Sequence, residues 1–466
     1  MSTKRSMVHP YMPNSVPEVK NAMLKELNAA SIEELYQDIP QSLRLKNPMN
    51  LPKPILSEFE LKKHVESILS KNTSSTEVIN FLGAGCYQHY VPAICDEINS
   101  RSEFLTAYCG ETYSDHGKLQ AIFEYTSMMG ELLDMDVVSY TTYDGGQAAV
   151  SSLRMAGRIT NRREILLPGT INPEIFSQIE DYCKKALDIR LVDSNPLTGQ
   201  MDIKDLKRKI SSKTAAVFFE NPSFLGFMEE QVETISSITH EYGALTVVYV
   251  DPSSLGILEA PANYGADIVC GDIQPLGIHM HYGGGCAGFI ATRDEETYIS
   301  EYPTYFYGIT TTKNTGEYGF GRALNYRTSH GSRENAKEYF GTEAGLWAIT
   351  AGVYLALMGP QGMQELGETI LYKSNYTSKL LSTIPGVKAP LFQSSHLKEF
   401  IVNFDETGKT VEQINKALLK YGIFGGKDLS HHFPNLGESA LYCVTEIISI
   451  DDIHKLVSAL KKIVEE

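Results

Sequence analysis

The sequence contains no apolar run close to the ~20 residues that a membrane-spanning helix requires. Its first ten residues include two basic ones but are not followed by the apolar segment of an export signal. No two of the cysteines form a Cys-x-x-Cys pair; they stand at positions 86, 95, 109, 183, 270, 286 and 443. This usage predicts reduced cysteines in a cytoplasmic protein, without a disulfide framework or a zinc site.

Positive charge is also scarce. The 41 Lys and Arg residues are outnumbered by 57 Asp and Glu residues, which gives a formal net charge of −16. Nucleic-acid binding needs a basic face, and the densest basic run, residues 207–209, is more typical of a solvated helix surface. We therefore expect neither nucleic acid nor a membrane as a partner. The length of 466 residues is enough for a large and a small domain.

Residues 1–60 predict an arm rather than a domain. Prolines interrupt this stretch too often for it to build its own core, and they leave room for two short helices near 17–29 and 31–38. Ser31 followed by Glu34 is a capping-box pattern that would begin the second helix. Apolar residues at helical spacing there favour an arm that wraps the body or a partner over a free tail. These residues are Ile32, Leu35, Tyr36 and Ile39.

Residues 61–330 alternate between short apolar runs and amphipathic stretches. Strands that alternate with helices imply a mainly parallel sheet with helices on both faces, whose ligands bind beyond the carboxyl ends of the strands. Residues 331–466 differ, because a long apolar helix near 343–358, ended by Gly359-Pro360, precedes a strand–helix–strand–helix pattern. This predicts a small C-terminal α+β domain. The predicted strands of the large domain cover 164–167, 215–219, 245–250, 266–269 and 288–291.

A glycine-rich segment, Tyr143-Asp-Gly-Gly-Gln-Ala-Ala149, leads into a predicted helix. Glycines before a helix let backbone N–H groups approach an anion, so Asp144, Gly145 and Gly146 could form a phosphate cup. The alternative is structural: Asp144 caps the helix and the glycines make a turn. The segment by itself favours the structural alternative.

Two polar residues follow predicted strands of the sheet. Asp251 comes directly after 245–250, where a buried charge needs a partner. In pyridoxal-phosphate (PLP) enzymes of the aspartate aminotransferase fold, an acid at this place pairs with the pyridinium nitrogen, and an Asx turn is an equally good interpretation. The turn after the next strand carries the Schiff-base lysine in that fold, but here it holds Gln274, and the next lysine is Lys313. Without an amine at this turn, the chain would not form the covalent aldimine in the usual way.

His279 and His281 follow at alternate positions, which would place both side chains on one face of an extended segment. A metal needs further ligands, and no third ligand is apparent in the sequence, so we predict no metal site.

The segment Phe81-Leu-Gly-Ala-Gly-Cys-Tyr87-Gln-His-Tyr90 combines a glycine-rich turn with tyrosines. Such a segment could line the mouth of an active site, and an ordinary tight turn beside core aromatics is at least as good an interpretation. The Gly-Ala-Gly run is too short to indicate a nucleotide.

Many ordered segments of the chain together match a known family. They are Tyr11-Met-Pro, Ser31-Ile-Glu-Glu-Leu and Asp38-Ile-Pro40 in the arm, Phe81 to Tyr90, Arg101-Ser-Glu-Phe104, Thr106-Ala-Tyr108, Tyr143-Asp-Gly145, Pro252-Ser-Ser-Leu-Gly256, Gly265-Ala-Asp-Ile-Val269, Gln274-Pro-Leu-Gly277, Gly359-Pro-Gln-Gly362 and Val444-Thr-Glu446. Over nearly its whole length the chain resembles the first subunit of the two-subunit glycine dehydrogenases (decarboxylating), the P-proteins of the glycine cleavage system.

The resemblance implies a fold-type-I PLP transferase architecture, like that of aspartate aminotransferase, with a smaller C-terminal α+β domain. It implies an α2β2 oxidoreductase whose lysine-bearing subunit 2 binds PLP covalently. The small amino acid glycine would lose its carboxylate as CO2, and its aminomethyl group would pass to the lipoyl arm of H-protein. The present chain would complete the active site of its partner, and the sequence leaves open whether it binds PLP itself.

The resemblance also assigns site residues, none of them catalytic. The residues expected to border the partner's active site or the lipoyl entrance are Tyr87, Tyr90, Ser102, Glu103, Thr106, Tyr108 and His116. The cofactor pocket, relict or retained, would comprise Asp144, Gly145, Gly146, Asp251, Gln274 and His279.

Two segments depart from the family pattern. Residues 109–117 are one residue shorter than the family's loop and lack both of its prolines, and residues 326–343 replace a basic run. Asp251 also stands where the family commonly has asparagine. Because loops set specificity on a fixed scaffold, two alternatives stay open. One is a divergent paralogue in a PLP-dependent decarboxylase or aminotransfer enzyme for another small amino acid, and the other is a non-catalytic regulatory or binding subunit.

Overall fold

The computed structural model describes residues 12–47, 49–105, 116–284, 286–323, 325–340 and 343–466. The chain divides into two compact units, Met1–Asn72 and Thr73–Glu466. Helices α1 (Pro17–Glu26) and α2 (Glu58–Leu69) belong to the first unit. Among the described residues of this unit, none is buried. The arm therefore has no core of its own, as its prolines predict.

The second predicted helix of the arm is a short 3-10 helix, Ile32–Tyr36. The predicted capping box is wrong, because the Ser31 side chain accepts no hydrogen bond from the helix. The Glu34 carboxylate instead accepts from the N–H of Ala30, the residue before the cap position, over 3.1 Å. Pro40 follows closely and disfavours helical backbone at the residue before it, which limits the segment.

The second unit contains a seven-stranded sheet. Its strands are β2 (Val137–Val138), β3 (Glu164–Pro168), β4 (Asp188–Val192), β5 (Thr214–Glu220), β6 (Leu245–Val250), β7 (Ile268–Asp272) and β8 (Gly288–Thr292), and a separate short strand, β1 (Ile79–Asn80), precedes them. The order in the sheet is β2-β8-β7-β6-β5-β3-β4. Strands β3 to β7 run parallel, whereas β8 is antiparallel to β7 and to β2. The predicted, mainly parallel sheet is confirmed.

Helices cover both faces of this sheet. Along β3, Leu166 packs into one apolar cluster while Ile165 and Leu167 pack into another. The alternation follows from the period of two along a strand, and it shows that both faces are buried. The helices of this part are α3 (Ala93–Asn99), α4 (Ser102–Leu105), α5 (His116–Leu133), α6 (Gly145–Thr160), α7 (Pro173–Cys183), α8 (Ile203–Lys209), α9 (Val232–Glu241) and α10 (Glu296–Ile299).

An antiparallel hairpin follows, formed by β9 (Phe306–Thr311) and β10 (Tyr318–Ala323). It was not predicted from the sequence, because its glycines and threonines give no clear apolar alternation. The tip of the hairpin is exposed.

The C-terminal region contains the predicted elements. The long helical segment α11 (Gly345–Leu381) consists of two helices that meet at Gly359, whose φ of +60° is not helical, so the first helix ends at Gly359-Pro360 as predicted. The remaining elements are β11 (Glu399–Asn403), α12 (Val411–Leu418), β12 (Ile423–Phe424), β13 (Lys427–Asp428), β14 (Ser439–Cys443) and α13 (Ile450–Glu465). Strands β11, β14 and β13 form an antiparallel sheet.

The C-terminal region has its own apolar cluster, which residues from the beginning of the second unit join. Strand β1 pairs in parallel with β12, and Phe81 is fully buried among the C-terminal apolar residues. This places the glycine-rich turn after Phe81 next to the C-terminal sheet. A division of the second unit near residue 330 stays a prediction.

Candidate functional site

A small polar cavity lies at the carboxyl ends of the parallel strands. Its volume is about 40 Å³, and it is lined among others by Tyr87, Glu220, Tyr249, Asp251 and Asp272. We call it the sheet-end pocket. Glu220 and Asp272 are the last residues of β5 and β7, and Asp251 follows β6. Neighbouring parallel strands therefore deliver three carboxyl groups to one edge of the sheet, where such folds bind ligands.

The predicted phosphate cup is occupied by a carboxylate of the chain itself. The Gly145 N–H at the start of α6 donates to Asp272 Oδ2 over 2.8 Å. The other oxygen, Oδ1, accepts from the backbone N–H groups of Gln274 (2.9 Å) and Ala287 (3.2 Å). Asp272 thus takes the position at the helix N-terminus that a bound anion would take. Burial raises the pKa of this carboxyl group to about 7.

Asp144 and the two glycines have structural roles at this helix end. Asp144 caps α6, since its Oδ1 accepts from the Gln147 N–H over 2.7 Å. A Cβ added at Gly145 would lie 2.3 Å from the Tyr249 hydroxyl oxygen, and one at Gly146 would lie 2.4 Å from the Gln178 side chain. The glycines are needed here because other side chains pack against the backbone.

Asp251 forms a buried ion pair with Lys398. The distance from Lys398 Nζ to Asp251 Oδ2 is 2.5 Å, and the two side chains are 3% and 13% exposed. Asp251 Oδ1 also accepts from the Ser253 backbone N–H and hydroxyl, so it forms the Asx turn as well. Burial opposes ionisation, but the Lys398 ammonium outweighs it and lowers the pKa of Asp251.

A chain of contacts continues from Lys398 to Glu446. Lys398 Nζ lies 3.0 Å from His89 Nε2, and His89 Nδ1 lies 2.7 Å from Glu446 Oε2. Because an ammonium only donates, Nε2 accepts and Nδ1 carries the proton that bonds Glu446. Although Glu446 is buried, its contacts with His89 and the Tyr90 N–H lower its pKa to about 2. This chain of charges fixes the backbone that presents Tyr90.

Gln274 joins the turn after β7 to the glycine-rich turn. Its side-chain oxygen accepts from the Tyr87 N–H, and its amide donates to the carbonyls of Tyr87 and Ile278, all over 2.9 Å. The Tyr87 ring lies over the Lys398 ammonium at 4.1 Å, and its hydroxyl donates to Glu399 Oε2. Both residues therefore hold the walls of the sheet-end pocket in place.

Two further buried carboxyl groups belong to Glu220, which lines the pocket, and to Glu399, which lies beside it. Glu220 accepts only backbone N–H groups, from Asn172 and Phe224, and burial raises its pKa to about 8. Glu399 accepts from the Ala84 N–H, and burial raises its pKa to about 7. Burial of unpaired carboxylates is costly, so these groups favour the protonated form.

Other predicted residues lie outside the pocket. The Tyr90 side chain is 64% exposed, and Ser102 and Glu103 are exposed on α4. Thr106 and Tyr108 lie outside the described residues. His116 is the first residue of α5, and its side chain is likewise outside the described part. The structure therefore brings together Tyr87, Asp144, Gly145, Gly146, Asp251 and Gln274, and it leaves the role of the exposed group a prediction.

His279 is half exposed and pairs with Asp96 of α3 over 3.0 Å. The ring of His281 packs against Trp347 instead, with ring centroids 4.9 Å apart. Among the described residues, no group of three or more His, Cys, Asp or Glu side chains is arranged to hold a metal ion. Within the same residues, no helix is long and apolar enough to cross a membrane.

Sequence reasoning missed several residues that line the sheet-end pocket or belong to the polar network around it. They are Lys398, His89, Glu446, Glu399, Asp272, Tyr249 and Glu220. Asp272 and Glu220 carry the signal used for Asp251, a carboxylate at the end of an apolar strand, and could have been found in the same way. No local pattern marks Lys398, since a lysine before a strand is ordinarily exposed.

Comparison with known proteins agrees with the sequence resemblance. The family model described as glycine cleavage system P-protein matches residues 9–460. A probable glycine dehydrogenase (decarboxylating) subunit 1 from Staphylothermus marinus is 38% identical over 467 residues, which cover 98% of this chain and 99% of that protein. A protein of the same name from Carboxydothermus hydrogenoformans is 40% identical over 451 residues, covering 97% and 99% of the two chains.

Solved structures agree as well. A crystal structure of a glycine decarboxylase (P-protein) of the glycine cleavage system, in inhibitor-bound form, matches with a TM-score of 0.86 and 29% identity, covering 98% of this chain and 100% of that one. A sphingosine-1-phosphate lyase from Burkholderia pseudomallei, 14% identical with a TM-score of 0.65 over 92% of this chain and 94% of its own, shares the fold. The predicted fold-type-I PLP architecture is thereby confirmed. The chain belongs to the glycine cleavage system P-protein family.

Proposed function

We propose that this chain is the subunit of a PLP-dependent glycine decarboxylase that completes the active site of a lysine-bearing partner, glycine dehydrogenase subunit 2. The observation that carries the proposal is the contact between Gln274 and the Tyr87 backbone. Where related folds place the Schiff-base lysine, this chain has an amide with three hydrogen bonds that brace a turn. An amide cannot form an imine, so the covalent chemistry requires another chain.

The sheet-end pocket does not fit PLP. Asp272 takes the anion position at the N-terminus of α6, so a phosphate there would meet a carboxylate. Asp251, the counterpart of a pyridinium partner, is already neutralised by Lys398. The cavity of about 40 Å³ is also far below the roughly 300 Å³ at which ligand pockets begin. We therefore assign the cofactor to the partner and derive no chemical step through this pocket.

This chain would contribute to the shared active site a surface whose backbone is held in place by buried hydrogen bonds. The hydrogen bonds of His89 to Lys398 and Glu446 and those of the Gln274 amide hold residues 87–90 in place. Tyr90 then projects from a fixed backbone, since its N–H donates to Glu446 Oε1 over 2.6 Å while its ring is exposed. We place Tyr90, with Ser102 and Glu103, along the partner's active site, where rigid side chains could orient glycine and exclude water.

The arm supports association with the partner. Apolar side chains recur along its described residues and are exposed, including Leu35 and Tyr36, which are 52% and 43% exposed. An apolar surface of this kind indicates a binding surface. Together with the subunit name of the relatives, this favours an α2β2 assembly in the cytoplasm, which acts with the lipoyl H-protein.

A divergent paralogue is the second candidate, and the altered segment 326–343 favours it. There His330 stacks on Tyr339, with ring centroids 4.4 Å apart, and also contacts Tyr305. Glu338 is buried and accepts hydrogen bonds from Ser151 and Arg158 of α6. An ordered aromatic and ionic cluster thus stands where the family has a basic run, and it could serve another substrate.

Reconstitution distinguishes these candidates. The chain is combined with the partner subunit and H-protein, and glycine–bicarbonate carboxyl exchange is measured. We expect exchange with both subunits and only background with either subunit alone. Exchange by this chain alone would contradict the proposal. An assembled pair that is inactive on glycine but decarboxylates another small amino acid would support the paralogue, and a pair inactive on all of them would favour a regulatory subunit.

A further inference from the structure

Two cysteines from distant segments meet beside the glycine-rich turn. Cys86 ends the Gly83-Ala84-Gly85 turn, and Cys286 lies just before β8. The thiols are close enough for each to shift the pKa of the other, Cys86 Sγ contacts the Met280 carbonyl on the segment that leads to Cys286, and both cysteines are only partly buried. The other described cysteines, Cys95, Cys183, Cys270 and Cys443, are buried. A small thiol-reactive molecule therefore reaches this pair more readily than the rest.

The contact makes the two thiols unequal. The interaction with the Cys286 thiol lowers the pKa of Cys86, while the same interaction and burial raise the pKa of Cys286. Burial raises the pKa of Cys183 and of Cys270 to about 12. Since the thiolate is the nucleophile, Cys86 is the favoured attacking sulfur and Cys286 stands beside it to resolve a mixed disulfide.

The two cysteines lie in segments that different contacts hold in place. Cys86 is flanked by Ala84, whose N–H bonds Glu399, and by Tyr87, whose backbone bonds Gln274. Cys86 also donates to the Met280 carbonyl over 3.7 Å, which connects it to the loop that leads to Cys286. In that loop His281 and Tyr282 have φ angles of +44° and +61°, which non-glycine residues rarely adopt.

We propose that Cys86 and Cys286 are a modification site that closes to a reversible intramolecular disulfide by exchange with a low-molecular-mass disulfide such as oxidised glutathione. The Cys86 thiolate attacks the small disulfide, forming a mixed disulfide and releasing one small thiolate. Cys286, after losing its proton, then attacks the Cys86 sulfur and releases the second. The two cysteines are oxidised by two electrons, and the small disulfide is reduced to two thiols.

The bond would tie the loop around His281 to the turn that carries Tyr87. The Tyr87 ring lies over the Lys398 ammonium. The disulfide would therefore connect the His281 loop to the turn that contacts the buried Lys398–Asp251 pair. Trp347, the only tryptophan of the chain, packs against His281 and offers an optical report of this loop. This inference does not rest on the proposed function, since the full chain alone is sufficient to test it.

The test treats the full chain with oxidised glutathione under native conditions, blocks remaining thiols with iodoacetamide and maps peptides by mass spectrometry. We expect a Cys86–Cys286 cross-linked peptide that disappears on reduction, together with a change in Trp347 fluorescence. The matched variants Cys86→Ala and Cys286→Ala should each lose both signals. Separate glutathione adducts without a cross-link, no reaction at either cysteine, or a cross-link to another cysteine, Cys109 included, would each overturn the proposal.

A rate measurement tests the asymmetry independently. In the reduced chain at neutral pH, iodoacetamide should label Cys86 at least about a hundredfold faster than Cys183 or Cys270. Cys286→Ala should slow the labelling of Cys86 by about tenfold for each pKa unit regained. Cys286→Ser, which keeps a donor, should restore part of the rate. Equal rates in all three chains would contradict the assigned roles.

Discussion

The sheet-end pocket and the arm differ in how they accommodate side chains that are unfavourable in their surroundings: buried charges in the pocket and exposed apolar groups in the arm. In the pocket, charges that would be costly to bury are matched within the chain: Lys398 pairs with Asp251, and Asp272 takes three backbone N–H groups. In the arm, apolar side chains remain exposed, and none of its described residues is buried. The charge of Asp251 is therefore matched inside the chain, whereas the apolar side chains of the arm find no cover within it. This contrast supports a chain that acts by association.

The largest expected effect is on stability, and it comes from removing the cation of the buried Asp251–Lys398 pair. Lys398→Met leaves the Asp251 carboxylate buried and unpaired, so the free energy of unfolding should fall by about 3–5 kcal/mol. Urea denaturation measures it. The matched control is Lys388→Met, which removes an exposed ion pair with Glu406 and should cost less than about 1 kcal/mol. Adding Asp251→Asn to the first variant should recover part of the loss. Similar losses of unfolding free energy in the two lysine variants would contradict the claim that the buried ion pair matters more than the exposed one.

The second prediction concerns pH. Asp272 has its pKa raised to about 7, so its contribution to stability is complete below about pH 4, the ordinary range of aspartate, and is lost as the pH rises through 7. Asp272→Asn should flatten the fall of the unfolding free energy between pH 5 and pH 7, by up to about 1.4 kcal/mol per pH unit. Asp188→Asn, at an exposed carboxylate, is the control. Parallel curves for Asp272→Asn and the unchanged chain would count against this assignment.

The third prediction concerns the arm and its exposed apolar side chains. Deleting residues 1–50 removes much of the exposed apolar surface, so affinity for the partner should fall by at least about tenfold, or about 1.4 kcal/mol. Sedimentation or copurification measures the affinity. As a control, Lys184→Ala changes the exposed surface of α7 and should leave association intact. Unchanged copurification of the deleted chain would exclude a binding role for the arm.

The smallest effect is expected at Tyr90. Because its ring is exposed, Tyr90→Ala should change the unfolding free energy by less than about 0.5 kcal/mol. It should nevertheless lower carboxyl exchange by the reconstituted enzyme several-fold, and Tyr421→Ala, at another exposed tyrosine, should not. Equal activity of the two variants would remove Tyr90 from the shared site.

The sequence predicted the sheet and its functional edge well, for a physical reason. Apolar β-branched runs predicted β6 at its observed bounds, and the parallel arrangement then placed Asp251 and Gln274 at the same edge. The side chains that pair with these residues could not be predicted from the sequence. Lys398 is 147 positions from Asp251, and nothing in its neighbourhood separates it from a surface lysine.

Local rules also failed where backbone geometry decided. Ser31 and Glu34 fit a capping box, but the short segment between prolines formed a 3-10 helix without the serine cap. Gly359-Pro360, by contrast, ends the first helix of α11 as expected, and Pro360 begins the second, since proline fits the first turn of a helix. The contact of Cys86 with Cys286 was equally invisible, because a separation of 200 residues carries no spacing signal.

The central claim is that this chain lacks the covalent chemistry and that its own pocket is closed to the cofactor. The most direct test is borohydride reduction of the purified chain in the presence of PLP, followed by peptide mass spectrometry. We predict no specifically labelled lysine on this chain, and a labelled lysine on the partner when the two are combined. Stoichiometric labelling of Lys398, which pairs with Asp251 of the sheet-end pocket, or of Lys313 or Lys337, would contradict the account and make this chain an enzyme in its own right.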